Sequence, residues 1–137
     1  VSGNAVEEAL KKAGHEISKR ILIPDNLVLI KETVKGLLYS KDVDAIIISG
    51  GTGISSRDVT VEAVEGLVEK DLPGFGEFFR KVSYEKLGPA AMLSRAMAGV
   101  AKSKIIFCLP GSPDGVKLAL SKLILPELTH AVKHAKE

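Results

Sequence analysis

Hydrophobic positions along this chain recur with two different periods, and the changes of period mark off its elements. Ala5, Val6, Ala9 and Leu10 have helical spacing within Ser2 to Ala13, with Gly14 as the C-terminal stop. Ile17 to Ile23 reads as a strand ending at Pro24-Asp25-Asn26. Leu27, Ile30, Val34, Leu37 and Leu38 then share one helical face, with Asn26 or Asp25 available as the cap. Ala45 to Ser49 is a short unbroken apolar run, the pattern of a strand buried on both faces. After it, Val61, Val64, Leu67 and Val68 predict a helix that starts past Asp58 or Thr60.

Pro73-Gly74-Phe75-Gly76 reads as a break, and helical spacing resumes from Glu77 to Leu87 through Phe78, Phe79 and Val82. Met97 to Val100 and Lys104 to Leu109 are two short strands joined around Lys102-Ser103. Ser112 as N-cap and Pro113 at the first helical position open a last helix, with Val116, Leu120, Leu123 and Ile124 on its apolar face. Leu128, Ala131 and Val132 continue that face beyond Pro126, which lacks an N–H and should kink the helix. Helices alternating with strands imply a mostly parallel sheet covered on both sides. Such a fold normally begins with a strand, whereas this chain opens on a helix. An opening strand is therefore expected to be missing from an otherwise single domain, 1–137.

Composition narrows the function classes. A chain of 137 residues, 45% hydrophobic and 26% charged, suits one globular domain. A net charge of +2 with 4% aromatics and no tryptophan argues against a nucleic-acid partner. No apolar run approaches bilayer length, so the expected location is the cytoplasm. The single cysteine, Cys108, lies in a strand pattern and reads as a buried thiol.

The chemistry collects at strand ends. In an open α/β sheet, ligands bind beyond the carboxyl ends of parallel strands. On the predicted topology those ends carry Asp25, the run Gly50 to Asp58, and Pro110-Gly111-Ser112-Pro113. Glycines at 50, 51 and 53 let the backbone approach an anion closely, or serve a tight strand-to-helix turn. Two aspartates on such a rim suit a hard cation such as Mg²⁺, although Asp25 and Asp58 also suit turn and cap positions. Glu77 is equally a favourable acid in a first helical turn. The loop has neither the Gly-Lys-Ser/Thr ending of a P-loop nor dinucleotide-fingerprint spacing. His130 and His134 stand four apart, but Ala131 occupies the place a zinc-protease motif gives to glutamate. Cations near a helix C-terminus are the simpler account of that pair.

Taken together, SGGTG…RDVT…EA, PGFGE, LSRA and LPGSP resemble the molybdopterin-binding family of molybdenum cofactor biosynthesis, the MoaB and MogA group. The motifs follow the family's order and spacing and run to about Leu128. SYEKLGPAAMLSRAMAG and IFCLPGSP resemble its B-type branch more closely. The resemblance implies a three-layer α/β domain that assembles as a homo-trimer or hexamer. It further implies Mg-ATP-dependent adenylylation of molybdopterin with release of pyrophosphate, the product passing to a metal-insertion protein. Asp25 and Asp58 match the family's acidic pair, with catalytic and Mg²⁺ roles. Gly50, Gly51, Thr52 and Gly53 match its nucleotide and pterin loop, while Glu77, Ser94, Arg95, Gly111, Ser112 and Pro113 match other pocket segments. The alternative function is a non-catalytic molybdopterin-binding or carrier protein using the same pocket. The family's opening strand, with a short Ser/Asp/Arg-type motif, has no counterpart in this sequence.

Overall fold

A computed structural model describes residues 2–137. Helix α1 spans Ser2–Lys12 and α2 spans Leu27–Leu38, followed by strand β1, Ala45–Ser49. Then come α3 (Thr60–Glu65), the two-residue β2 (Lys70–Asp71) and α4 (Pro73–Leu87). A 3₁₀ segment, Gly88–Leu93, leads to β3 (Met97–Ala101) and β4 (Lys104–Leu109). Helix α5 (Pro113–Ala119) runs through a π-helical stretch, Leu120–Ile124, into α6 (Leu125–Lys136). The strands order β1-β4-β3-β2.

Strand β4 organises the two cores. From Ile105 to Leu109 its residues are buried, and the period-2 alternation of a strand sends neighbours to opposite faces. Ile105, Phe107 and Leu109 pack on one face with Leu10, Phe79, Val116, Ile124 and Leu128. Ile106 and Cys108 pack on the other with Ile30, Val34, Val64 and Ala63. Helices α1, α4, α5 and α6 thus cover one side and α2 and α3 the other, giving the three-layer α/β fold. Cys108 is fully buried, and loss of hydration pushes its thiol up to about 12. It belongs to the core, as its strand pattern implied.

The sheet is more mixed than expected. Only β1 and β4 pair in parallel among the described residues, whereas β3 pairs antiparallel with both β4 and β2. The β3–β4 link is the reason. Lys102 and Ser103 take φ of 50° and 62°, the two left-handed positions of a tight hairpin turn, and a two-residue hairpin must reverse the chain.

Two local readings change. Residues 15–24 are not a strand: Leu22 is 99% exposed, and no described strand pairs with this stretch. β-Branched residues alone cannot make a strand without a partner for the ladder hydrogen bonds. Arg20 instead ties the stretch to α1, its guanidinium donating to Asn4 Oδ1 at 2.7 Å and Glu7 Oε2 at 3.3 Å. Pro73-Gly74-Phe75-Gly76 is not a break, because α4 starts at Pro73, where the missing N–H costs nothing. Gly76 is buried there, and a Cβ on it would stand 2.8 Å from Ala96 O, so close packing against the segment entering β3 accounts for the glycine. Pro126 falls in the first turn of α6, just after the π-helical stretch, which absorbs the lost backbone bond without ending the helix. Asn26 caps α2 by accepting from Leu29 N at 3.0 Å, and Ser112 caps α5 through Gly115 N at 3.2 Å.

Candidate active site

Because β1 and β4 run in register from Ala45↔Ile105 to Ser49↔Leu109, both deliver their trailing loops to one edge of the sheet. Gly50 N extends the ladder by donating to Leu109 O at 2.8 Å. The loops touch here: a Cβ on Gly111 would lie 3.4 Å from Gly50 Cα. Between them is a cavity of about 320 Å³ lined by Gly50, Gly51, Thr52, Gly53, Asp58, Ser94, Pro110, Gly111 and Ser112.

The first loop is held through its carbonyls. Gly50 and Gly51 adopt φ of 103° and 74°, conformations that L side chains rarely take. Thr60, 3% exposed, donates its Oγ1 hydrogen to Gly50 O at 2.8 Å, and its N–H donates to Gly51 O at 3.1 Å. Arg95 N donates to Thr52 O at 2.8 Å, and Arg95 Nε to Gly53 O at 2.8 Å. Four successive carbonyls are therefore engaged by protein donors. The N–H groups of Gly51 and Thr52 find no protein acceptor among the described residues, which suits a bound anion.

Arg95 is the clamp of this loop. Its Nη2 also donates to Asp58 O at 2.9 Å, and its guanidinium pairs with Glu62 through both carboxylate oxygens. Hydrogen bonding from Arg95 lowers the Glu62 pKa, and the same bond raises that of Arg95. Arg80 fixes the neighbouring segment by donating to Ser94 O at 3.3 Å and Ala96 O at 3.0 Å. No lysine or arginine side chain lines the cavity, so Asp58 is its one charged side chain.

Asp58 is held ionised. Its Oδ2 accepts from Ser55 N at 2.9 Å and from Ser55 Oγ at 2.8 Å. The Ser55 backbone and hydroxyl donors are the main causes of its lowered pKa; they outweigh the opposing effect of desolvation, and Gly53 N–H and the charge of Arg95 add smaller contributions. This stabilisation is present above the ordinary carboxylate pKa and lost as pH falls through the depressed one. Ser55→Ala removes one donor, so the Asp58 titration should move to higher pH. A ¹³C-carboxyl NMR titration checks this, and an unmoved midpoint would contradict the assigned cause.

Eight residues singled out in the sequence share the cavity wall: Gly50, Gly51, Thr52, Gly53, Asp58, Ser94, Gly111 and Ser112. Four others do not line it. Asp25 is exposed in the unpaired stretch before α2, so the expected pair of carboxylates is not assembled around the cavity. Glu77 is exposed on α4, and Pro113 is the first residue of α5. Arg95 lies behind the loop and holds it. The sequence reading placed Pro110 and Ser55 in the rim loops without giving either a role, and it missed the parts that Thr60, Glu62 and Arg80 play behind the wall. Ser55 had a signal in its spacing of three before an aspartate. Thr60 suggested only a helix cap, but Val59 precedes α3 and neither Asp58 nor Thr60 caps it. A second cavity, about 340 Å³ and lined in part by Lys86, Lys117 and Lys122, contains none of these residues.

Comparison with known proteins shows the family to which this fold belongs. The family model described as "Probable molybdopterin binding domain" matches residues 1–130. "Molybdenum cofactor biosynthesis protein B" of Bacillus cereus is 47% identical over 130 residues, covering 94% of this chain and 77% of that protein. The "Probable molybdopterin adenylyltransferase" of Methanocaldococcus jannaschii is 45% identical over 143 residues, covering 100% of this chain and 85% of that protein. A crystal structure of a molybdenum cofactor biosynthesis protein B superposes with a TM-score of 0.94 at 44% identity, over 98% of this chain and 84% of the other. With a family match spanning nearly its whole length and relatives this similar, the chain belongs to the molybdopterin-binding domain family of molybdenum cofactor biosynthesis.

Proposed function

We propose that this protein is a Mg-ATP-dependent molybdopterin adenylyltransferase. The observation that carries this reading is the cavity itself: two backbone N–H groups free for an anion beside a single ionised carboxylate, with no cationic side chain in the wall. Bringing a terminal pterin phosphate to the α-phosphate of ATP joins two anions, so positioning and charge neutralisation must supply most of the catalysis. A pterin phosphate oxygen forms the new bond to the α-phosphorus as the bond to pyrophosphate breaks. The attacking phosphate is already ionised at neutral pH, so no general base is needed.

The donor set fits Mg²⁺. Both Ser55 bonds fall on Asp58 Oδ2, and Oδ1 keeps lone pairs for a hard cation, which typically takes one or two carboxylates plus phosphate oxygens. When bound, the ion would offset the negative charge of the ATP phosphates. Gly51 and Thr52 would hold phosphate oxygens through their amides, and Arg95 and Thr60 would keep those amides in place. Asp25, on the segment leading into α2, is assigned a secondary acidic role. Glu77 and Pro113 belong to the wider substrate surface in this reading. A homo-trimer or hexamer, transfer of the product to a metal-insertion protein and a cytoplasmic location complete it.

A second reading is a non-catalytic molybdopterin carrier using the same pocket. It draws support from the Bacillus cereus relative, whose name states a biosynthetic role without an activity. Incubation with molybdopterin, ATP and Mg²⁺, followed by mass detection of adenylylated pterin and pyrophosphate, separates the two. Both products are expected. Pterin bound tightly with neither product formed would leave the carrier.

A further inference from the structure

We propose that α6 carries a surface divalent-metal site formed by His130 and His134, on a helix that does not line the candidate active site. The two imidazoles meet through their Nε2 atoms at 2.8 Å. Behind each ring stands a carboxylate. His130 Nδ1 is 2.9 Å from Glu127 Oε2, and His134 Nδ1 is 3.0 Å from Glu137 Oε1.

The protons follow from this arrangement. A carboxylate only accepts, so each ring presents its N–H through Nδ1, which leaves an Nε2 lone pair on both rings. Two lone pairs facing each other at 2.8 Å repel unless something positive lies between them. A shared proton satisfies the pair, and so does a metal ion. Metal-bound histidines characteristically have this outer arrangement, with the second ring nitrogen donating to a carboxylate that fixes the tautomer and raises ligand basicity.

The spacing needs a small adjustment. Two nitrogens on a tetrahedral zinc ion at about 2.05 Å are about 3.3 Å apart. The rings must therefore open from their 2.8 Å separation, a change that rotation of two exposed side chains can supply. No group of three or more potential ligands occurs among the described residues, so water must complete the coordination. Paired imidazoles select a borderline transition metal such as Zn²⁺, Ni²⁺ or Cu²⁺ over Mg²⁺. The sequence alone gave the spacing of the two histidines. The flanking carboxylates at three-residue offsets on both sides became meaningful only with the side chains in place.

Calorimetric titration of the untagged full chain with ZnCl₂ tests the proposal. One equivalent is expected to bind, with affinity falling by at least about tenfold in His130→Ala and in His134→Ala. Glu127→Gln should cost up to about tenfold, because the His130 tautomer is then no longer held. Circular dichroism of each variant without metal verifies that α6 is intact, and MgCl₂ should give no binding at this site. Undiminished Zn²⁺ affinity in either histidine variant, or no Zn²⁺ binding by the parent chain, would overturn the assignment.

Discussion

Asp58→Asn is expected to slow adenylyl transfer by on the order of 100-fold while changing molybdopterin affinity by less than about threefold. Asparagine matches aspartate in shape, and its side-chain oxygen can still accept from Ser55 N and Oγ, which now bond to Asp58 Oδ2 at 2.9 and 2.8 Å. The turn before α3 is therefore retained and only the negative charge is lost. In the proposed role that charge matters when a cation on the ATP phosphates must be held beside the reacting groups. Pterin recognition depends more on the loop amides and cavity shape. Asp25→Asn should have a smaller effect, since Asp25 does not line the cavity. Single-turnover rates and direct pterin binding, measured for both variants, decide the matter. Equal losses in rate and affinity for Asp58→Asn would remove the cation-holding role.

Gly51→Ala is expected to produce the largest loss of stability from a single methyl group in this site, about 2–4 kcal/mol. Two costs add. The backbone at residue 51 has φ of 74°, a left-handed conformation costing an L-residue about 1–2 kcal/mol. The new Cβ would also overlap Thr60 Oγ1, the atom that donates to Gly50 O. Thr60 is 3% exposed and cannot swing into solvent. Thr60→Ala alone should cost about 1–2 kcal/mol by leaving Gly50 O without its donor. In the double variant the overlap with Oγ1 disappears while the backbone strain remains, so the two losses should sum to more than the measured total. Urea denaturation of the four proteins gives this coupling directly. Strict additivity would mean that the Gly51–Thr60 contact does not govern the loop.

Much of this architecture can be read without coordinates because it is set by local chemistry. The helical period of Leu27 to Leu38 with Asn26 before it, the apolar run Ala45–Ser49, the paired strands around Lys102-Ser103 and the Ser112-Pro113 helix start all appear as expected. The failures share one cause. Ile17 to Ile23 has the β-branched composition of a strand, yet a strand is a relation between two segments, and no described strand pairs with it. Pro73 to Gly76 has the composition of a break, but proline is tolerated in a first turn and Gly76 is needed where α4 packs closely on the segment entering β3.

The site divides in the same way. The chain order of SGGTG, Arg57-Asp58 and the Pro-Gly-Ser-Pro segment foretold that these loops meet, whereas the Asp25 loop, expected on the same rim, does not line the cavity. That meeting is legible because parallel strands place their trailing loops on one edge whatever the remaining packing. Which residues form the wall and which stand behind it was decided only by tertiary structure. Arg95 lies 33 residues from Glu62 and 42 from Gly53 along the chain, and it bonds to both. Its role as a clamp depends on where β3 begins relative to the glycine loop. No local pattern encodes that distance, because it arises only when the helices and sheet close around their two cores.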